Sequence, residues 1–243
     1  MARQAPVHSI PGFRSCAVLL LLFCAGHARG AEPVTSEDGG FRWGHALLES
    51  LEFTALAHGV RLAAEADTRE ALKGPFVRDY VGSVEGLHGW GDGDAFNVNY
   101  VQHPVEGAIF GFTQIQNDPR YKTLEFSNSR AYWRSRLKAT GWSALMSTQF
   151  EIGPFSEASI GNVGLKRGTA GWVDLVVTPA GGLAVMLLED VLDKYVIRRF
   201  ETGHGPVARV LLRGFLNPDR SMANMLRGRV PWHRDSRAGV TVP

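Results

Sequence analysis

The 243-residue chain sets 26 lysines and arginines against 24 acidic residues, a formal charge of +2, with 44% apolar residues and two cysteines. A balance so close to neutral excludes an electrostatic nucleic-acid binder. Cys16 and Cys24 both fall in the first thirty residues, so the chain beyond them has no disulfide framework, thiolate metal site or cysteine nucleophile.

Residues 1–30 read as a cleavable export signal. Arg3 and Arg14 precede the apolar run Cys16–Gly26, which is too short for a membrane-crossing helix, and Ala28-Arg29-Gly30 offers small residues to a signal peptidase. A lipid anchor on Cys24 is ruled out by the bulky Phe23 before it. The expected mature chain is one helical domain, residues 31–243. Loss of Arg3, Arg14 and Arg29 turns its formal charge from +2 to −1. That charge is uneven. Nine arginines from Arg198 onward (198, 199, 209, 213, 220, 227, 229, 234 and 237) meet only Glu201, Asp219 and Asp235. Such an end suits an anionic membrane surface as partner, or else a solvated basic tail.

In chain order, 31–40 is a polar leader and Trp43 to about Ala66 a helix. Leu72–Gly93 reads as a glycine-containing loop with a short helix near Phe76–Val81. A helix beginning at Asn99 or Pro104 runs to Gln116 and stops at Asn117-Asp118-Pro119; Asn128–Phe150 forms another, ended by Gly153-Pro154. A connection holding Gly161, Gly164, Gly168 and Gly171 leads to a long helix from Trp172 to about Phe200, and shorter helices follow at Val207–Leu216 and Asp219–Arg227. The fold class is mainly α. The uncharged run Leu175–Leu188 has the length of a buried core helix rather than of a membrane span, with attachment to a membrane surface left open.

Two segments share a pattern. Asn99-Tyr-Val-Gln-His-Pro-Val-Glu-Gly107 and Asp174-Leu-Val-Val-Thr-Pro-Ala-Gly-Gly182 place Pro five residues, and Gly eight residues, after Asn or Asp. Two readings fit. In one, His103 and Thr178 cap helices that begin at Pro104 and Pro179, with Glu106 completing a capping box. In the other, each helix begins at Asn99 or Asp174 and is kinked by its proline. In both, Gly107 and Gly182 supply small faces on which the segments pack as pseudo-equivalent helices, an internal repeat.

The densest polar group is His88, Asp92, Asp94, Asn99, His103 and Glu106. Asp94, His103 and Glu106 are candidates for acid–base catalysis; His88 and Asp92 are candidate ligands for a divalent metal. A calcium loop is excluded because Phe96 stands where an oxygen ligand belongs. The competing reading makes Asp92 and Asp94 turn residues, and Asn99 and His103 helix caps. His45, Glu49 and Glu52 form a polar stripe on the first helix; if it points inward, His45 and Glu49 join the candidate metal ligands. Aromatic and basic residues interleave around Tyr132–Arg136 and Val230–Arg234, as at a membrane–water interface. No nucleophile elbow, zincin helix, phosphate loop or dinucleotide fingerprint is present.

Three blocks, Gly91–Phe96 with Asn99–Gly107, Asp174–Gly182 and Asn217–Asn224, make the chain resemble a family of exported bacterial proteins defined as a domain of unknown function. The resemblance implies an envelope location and a helical domain, and assigns no catalytic residue. The expected function is a membrane-associated envelope protein with a scaffolding role and possible envelope protein partners. The alternatives are a metal-assisted or acid–base hydrolase of envelope lipid or glycan, and a small-ligand binding protein.

Overall fold

Helices account for all regular structure among the described residues of the computed structural model, 39–160, 171–237 and 239–240. All of them fall within one unit, Val34–Pro243. The expected export signal, most of the expected polar leader and Gly161, Gly164 and Gly168 lie outside the described residues. The first long helix, α1 (Trp43–Ala64), is followed by short α2 (Ala66–Ala71) and α3 (Phe76–Glu85), the last extending a turn beyond the expected Val81. A π-helical turn, Val98–Gln102, runs directly into α4 (His103–Gln116). Next come α5 (Arg130–Ile152), one-turn α6 (Glu157–Ile160) and α7 (Val173–Leu192), which continues through a second π turn, Asp193–Ile197, into α8 (Arg198–Glu201). Finally α9 (Pro206–Leu216) and α10 (Pro218–Leu226) each start on a proline, whose missing N–H is harmless there. Ser129 caps α5 by accepting from the Tyr132 amide at 3.2 Å.

Of the two readings, the structure adopts the one in which each helical segment begins before its proline and runs on through it. Gln102 and His103 both have helical dihedrals, the His103 amide donates to the Val98 carbonyl, and Pro179 lies inside α7. His103 and Thr178 are therefore helix-interior residues and Glu106 completes no capping box. The capping reading is corrected: before Pro104 a π turn widens the backbone by one residue, whereas Pro179 is carried within α7 itself.

The two segments pack against each other in parallel and in register. A Cβ on Gly182 would lie 2.6 Å from the Gly107 carbonyl carbon and 2.9 Å from the Ala108 nitrogen; one on Gly107 would collide with the Thr178 carbonyl, and one on Gly111 with Met186. Gly107 with Gly182, and Gly111 with Met186, are equivalent positions of the shared pattern. On its other sides α4 is covered by α1, α5 and α10. Every α4 residue except Val105 is buried, and Ala108, Phe112 and Ile115 join Ala139, Met186 and Ala223 in the apolar core.

Elsewhere the interior is unusually polar. Among the described residues, buried polar and charged side chains outnumber buried apolar ones, while large apolar side chains stand exposed along Leu47, Leu48 and Leu51 of α1, Leu137 and Leu145 of α5, Val176 and Leu188 of α7, and Val207, Leu211 and Phe215 of α9. The expected core helix is only half of one. Val173–Glu201 is long and apolar enough to cross a membrane by length and composition (mean hydropathy 1.7), and only 33% of its most apolar stretch is buried.

The arginine-rich end is not a solvated basic tail. Six of its nine arginines pair with acids: Arg198 with Glu125, Arg213 with Glu201, Arg220 with Asp190, Arg227 with Asp235, Arg234 with Asp193, and Arg237 with both Asp193 and Glu201. Arg234 also donates to Asn217 Oδ1 at 2.7 Å, fastening the C-terminal segment to the α9–α10 junction. The expected electrostatic attraction to an anionic surface thus loses most of its charge to internal pairing.

Candidate functional site

One end of the bundle collects the polar residues of the two proline segments and of elements far from them in sequence. The π turn and first turn of α4 bring Asn99, His103 and Glu106 inward, all buried. The first turn of α7 brings Asp174 opposite them. The last turn of α5 adds Glu151, and α6 adds Glu157, which pairs with Arg61 of α1. The glycine loop is tied to the start of α7 by two backbone hydrogen bonds, Trp172 N–H to the Gly89 carbonyl (3.1 Å) and Val173 N–H to the Trp90 carbonyl (3.0 Å). Gly171 permits this approach, since a Cβ there would sit 2.5 Å from the Trp90 oxygen; Gly89 and Gly93 make the loop's turns at positive φ. The result delivers Asp92 to Asp174, with which it shares a hydrogen bond.

His103 sits at the centre. Its Nε2 lies 3.2 Å from Asp174 Oδ1 and its Nδ1 3.6 Å from Glu106 Oε2. His103, Glu151 and Asp174 each bring one potential ligand atom within 4.8 Å of the others. Two carboxylate oxygens in that group, Glu151 Oε1 and Asp174 Oδ1, are buried without a hydrogen-bond partner. Asp92 receives the Asn99 side-chain amide at 2.8 Å and the Asp94 backbone amide at 2.9 Å. Gln102 donates to Glu106 at 3.4 Å.

The electrostatics follow from crowding acids away from water. Burial, helped by the neighbouring Asp92, pushes Asp174 up to about 9; burial and the charge of Glu157 push Glu106 up to about 8. Glu151 is raised well above the ordinary carboxylate range, by burial first and then by Glu157, Asp174 and Glu106. Burial lowers His103 to about 4 despite the pull of Asp92. At neutral pH the imidazole is uncharged and able to bind a cation, and the Asp174 carboxyl holds a proton that a cation would displace.

Asp94, His103 and Glu106 are thus brought to one end, with Asp94 exposed at its rim. The other expectations are corrected. His88 is exposed and turns back to the Gly86 carbonyl, since its loop leaves α3 pointing outward. His45 is exposed on the outer side of α1. Glu49 does point inward, but it accepts from Asn117 at 2.6 Å just past the far end of α4, about 20 Å along the helix from His103. Asp92 is both a turn residue and part of the site, where it supports Asp174 in place of a direct ligand role. Asn99 is no cap; it holds Asp92. Sequence reasoning missed Glu151, Glu157 and Arg61, and treated Asp174 as structural. One signal was available: Glu151 is the sole acid in the 23 residues of α5.

Comparison with family models, curated proteins and solved structures returns no match. The reading of this site rests on its own geometry.

Proposed function

We propose that this chain is an exported, membrane-associated protein of the cell envelope, whose exposed apolar helix faces lie against lipid. The observation that carries this reading is the inverted distribution of polarity. A water-soluble domain of this size hides its large apolar side chains and rarely exposes contiguous rows of them. Here Leu47, Leu51, Leu137, Leu145, Val176, Leu188, Leu211 and Phe215 stand outside while Ser50, Thr54, Ser135, Arg136, Ser143, Ser147 and Thr178 are buried. The rows occur on α1 and α7, which pack on different flanks of α4, so they do not reduce to one patch fitted to one protein partner. Exposed aromatic residues stand at both ends of α5 and α7: Trp133 and Tyr195 where α5 begins and α7 runs out, Trp90 and Trp172 where α7 begins. Amphipathic rings favour that position at a membrane–water interface.

Attachment of this kind is apolar, not ionic. After expression of the full chain, the protein is expected to sediment with membranes, to stay there through a high-salt wash, and to leave only in detergent. Recovery in the soluble fraction would remove the reading; release by salt alone would replace it with a surface held by charge.

The hydrolase alternative draws on a separate observation, the convergence of Asp94, His103 and Glu106 at one end of the bundle. It depends on what that cluster binds.

A further inference from the structure

The geometry points to a divalent-cation site formed by His103 Nε2, Glu151 and Asp174, with Glu106 and Asp92 as the groups that orient its ligands. Three observations carry it independently of membrane association.

The first is the donor set. One imidazole and two carboxylates, supplied by α4, α5 and α7, place their ligand atoms within 4.8 Å of one another. Atoms bound to one ion at 2.0–2.2 Å stand roughly 3 to 4.4 Å apart, so the three close on a cation with small side-chain movements. Nitrogen and oxygen donors without thiolate suit Zn2+, Mn2+ or Fe2+.

The second is the pair of orphaned oxygens. Asp174 is 6% exposed and its Oδ1 points at His103 without making a hydrogen bond, and Glu151 Oε1 is likewise buried and unpartnered. Buried carboxylate oxygens seldom go unpaired, and two on residues whose ligand atoms gather within 4.8 Å of one imidazole face a shared missing partner.

The third is the outer arrangement. A metal-bound histidine commonly offers its other nitrogen to a carboxylate, and ligating carboxylates are themselves held by hydrogen bonds. Glu106 faces His103 Nδ1, the nitrogen turned away from Asp174, and Asp92 grips Asp174 while Asn99 and the Asp94 amide grip Asp92. Among the described residues of the cluster, Arg61 is the cation, already paired with Glu157 and Glu65. A divalent ion supplies the compensating charge.

The test uses the full chain purified in detergent, stripped with chelator and titrated with Co2+, followed by Zn2+ competition. The expected result is one equivalent of Co2+ with visible d–d absorption that Zn2+ abolishes. Glu151→Gln and Asp174→Asn weaken binding by roughly 100-fold, and Glu106→Gln weakens it by roughly 10-fold while keeping the stoichiometry. His88→Ala and Glu49→Gln, outside the cluster, leave it unchanged. A wild-type protein that takes up no Co2+, Zn2+ or Mn2+ overturns the assignment, as does an affinity left unchanged by Glu151→Gln or lost with His88→Ala. Should Asp174→Asn fail to fold, the wild-type spectrum compared with that of Glu151→Gln decides alone. Membrane fractionation enters none of these readouts.

Discussion

Glu49 shows how a single buried carboxyl sets a pH response. Burial raises it to about 7, against the opposing hydrogen bond from Asn117 and the charges of Arg227 and Arg42, with Glu52 adding slightly to the rise. In the unfolded chain it releases its proton near 4.5. Between those values the unfolded state has lost a proton that the folded state keeps, so stability falls as pH rises from about 4.5 to 7 and then levels off. Glu49→Gln removes this slope. Relative to the variant, wild type is expected to lose on the order of 2–3 kcal/mol across that window, read from denaturation midpoints at pH 4.5, 6 and 8. Asp190 acts through pairing. It accepts from Tyr132 (2.6 Å) and Arg136 (2.8 Å) and pairs with Arg220, and Arg136 is wholly buried. Asp190→Ala strands that guanidinium and is expected to cost about 3–5 kcal/mol in chemical denaturation. Breaking the exposed Lys73–Glu70 pair with Glu70→Ala should leave the midpoint unmoved. At this scale the sequence was half legible. His103, Glu106 and Asp94 announce themselves by density, whereas Glu151 and Asp174 join them only because α5 and α7 are brought alongside α4. Contacts between distant helices leave no local spacing to read.

Among the elements, the helices and their stops were readable because apolar periodicity, Gly153-Pro154 and Asn117-Asp118-Pro119 are local signals. The paired prolines were readable as well, but how the chain passes them was not. A cap at His103 and a π turn through it use the same residues, and packing against α7 selects between them. The contact between α4 and α7 also makes a sharp expectation. A methyl group on Gly107 or Gly182 meets backbone atoms of the facing helix, which cannot rotate away as a side chain can. Gly107→Ala and Gly182→Ala should each destabilise by about 2 kcal/mol or more. Gly141→Ala, at an open position on exposed α5, should be neutral or stabilising. Equal effects at all three positions in thermal denaturation would mean that the two helices do not meet there.

For the whole molecule, composition misleads. An arginine-rich end suggested attraction to anionic lipid, yet Arg213, Arg220, Arg227, Arg234 and Arg237 bind acids of the chain itself. The uncharged run Leu175–Leu188 suggested a buried core helix, yet Val176 and Leu188 face outward, and serine, threonine and charged groups fill much of the inside. Net charge and apolar fraction carry no information about direction. Only the folded arrangement separates a side chain that holds the interior from one that meets a membrane.

The placement of α4 has a consequence for synthesis. A helix buried on every side except at Val105 has no surface on which to rest alone. Its covering helices α7 and α10 lie on the far side of α5 in the chain and leave the ribosome after it. Until they arrive, Phe112, Ile115 and the Gly107 groove are open to any apolar partner, including another nascent copy. Assembly is then close to all-or-none, and a chain that ends before α7 should be taken by proteases before it accumulates. The residue stretch that organises the finished protein is the one most dependent on escort while the protein is being made.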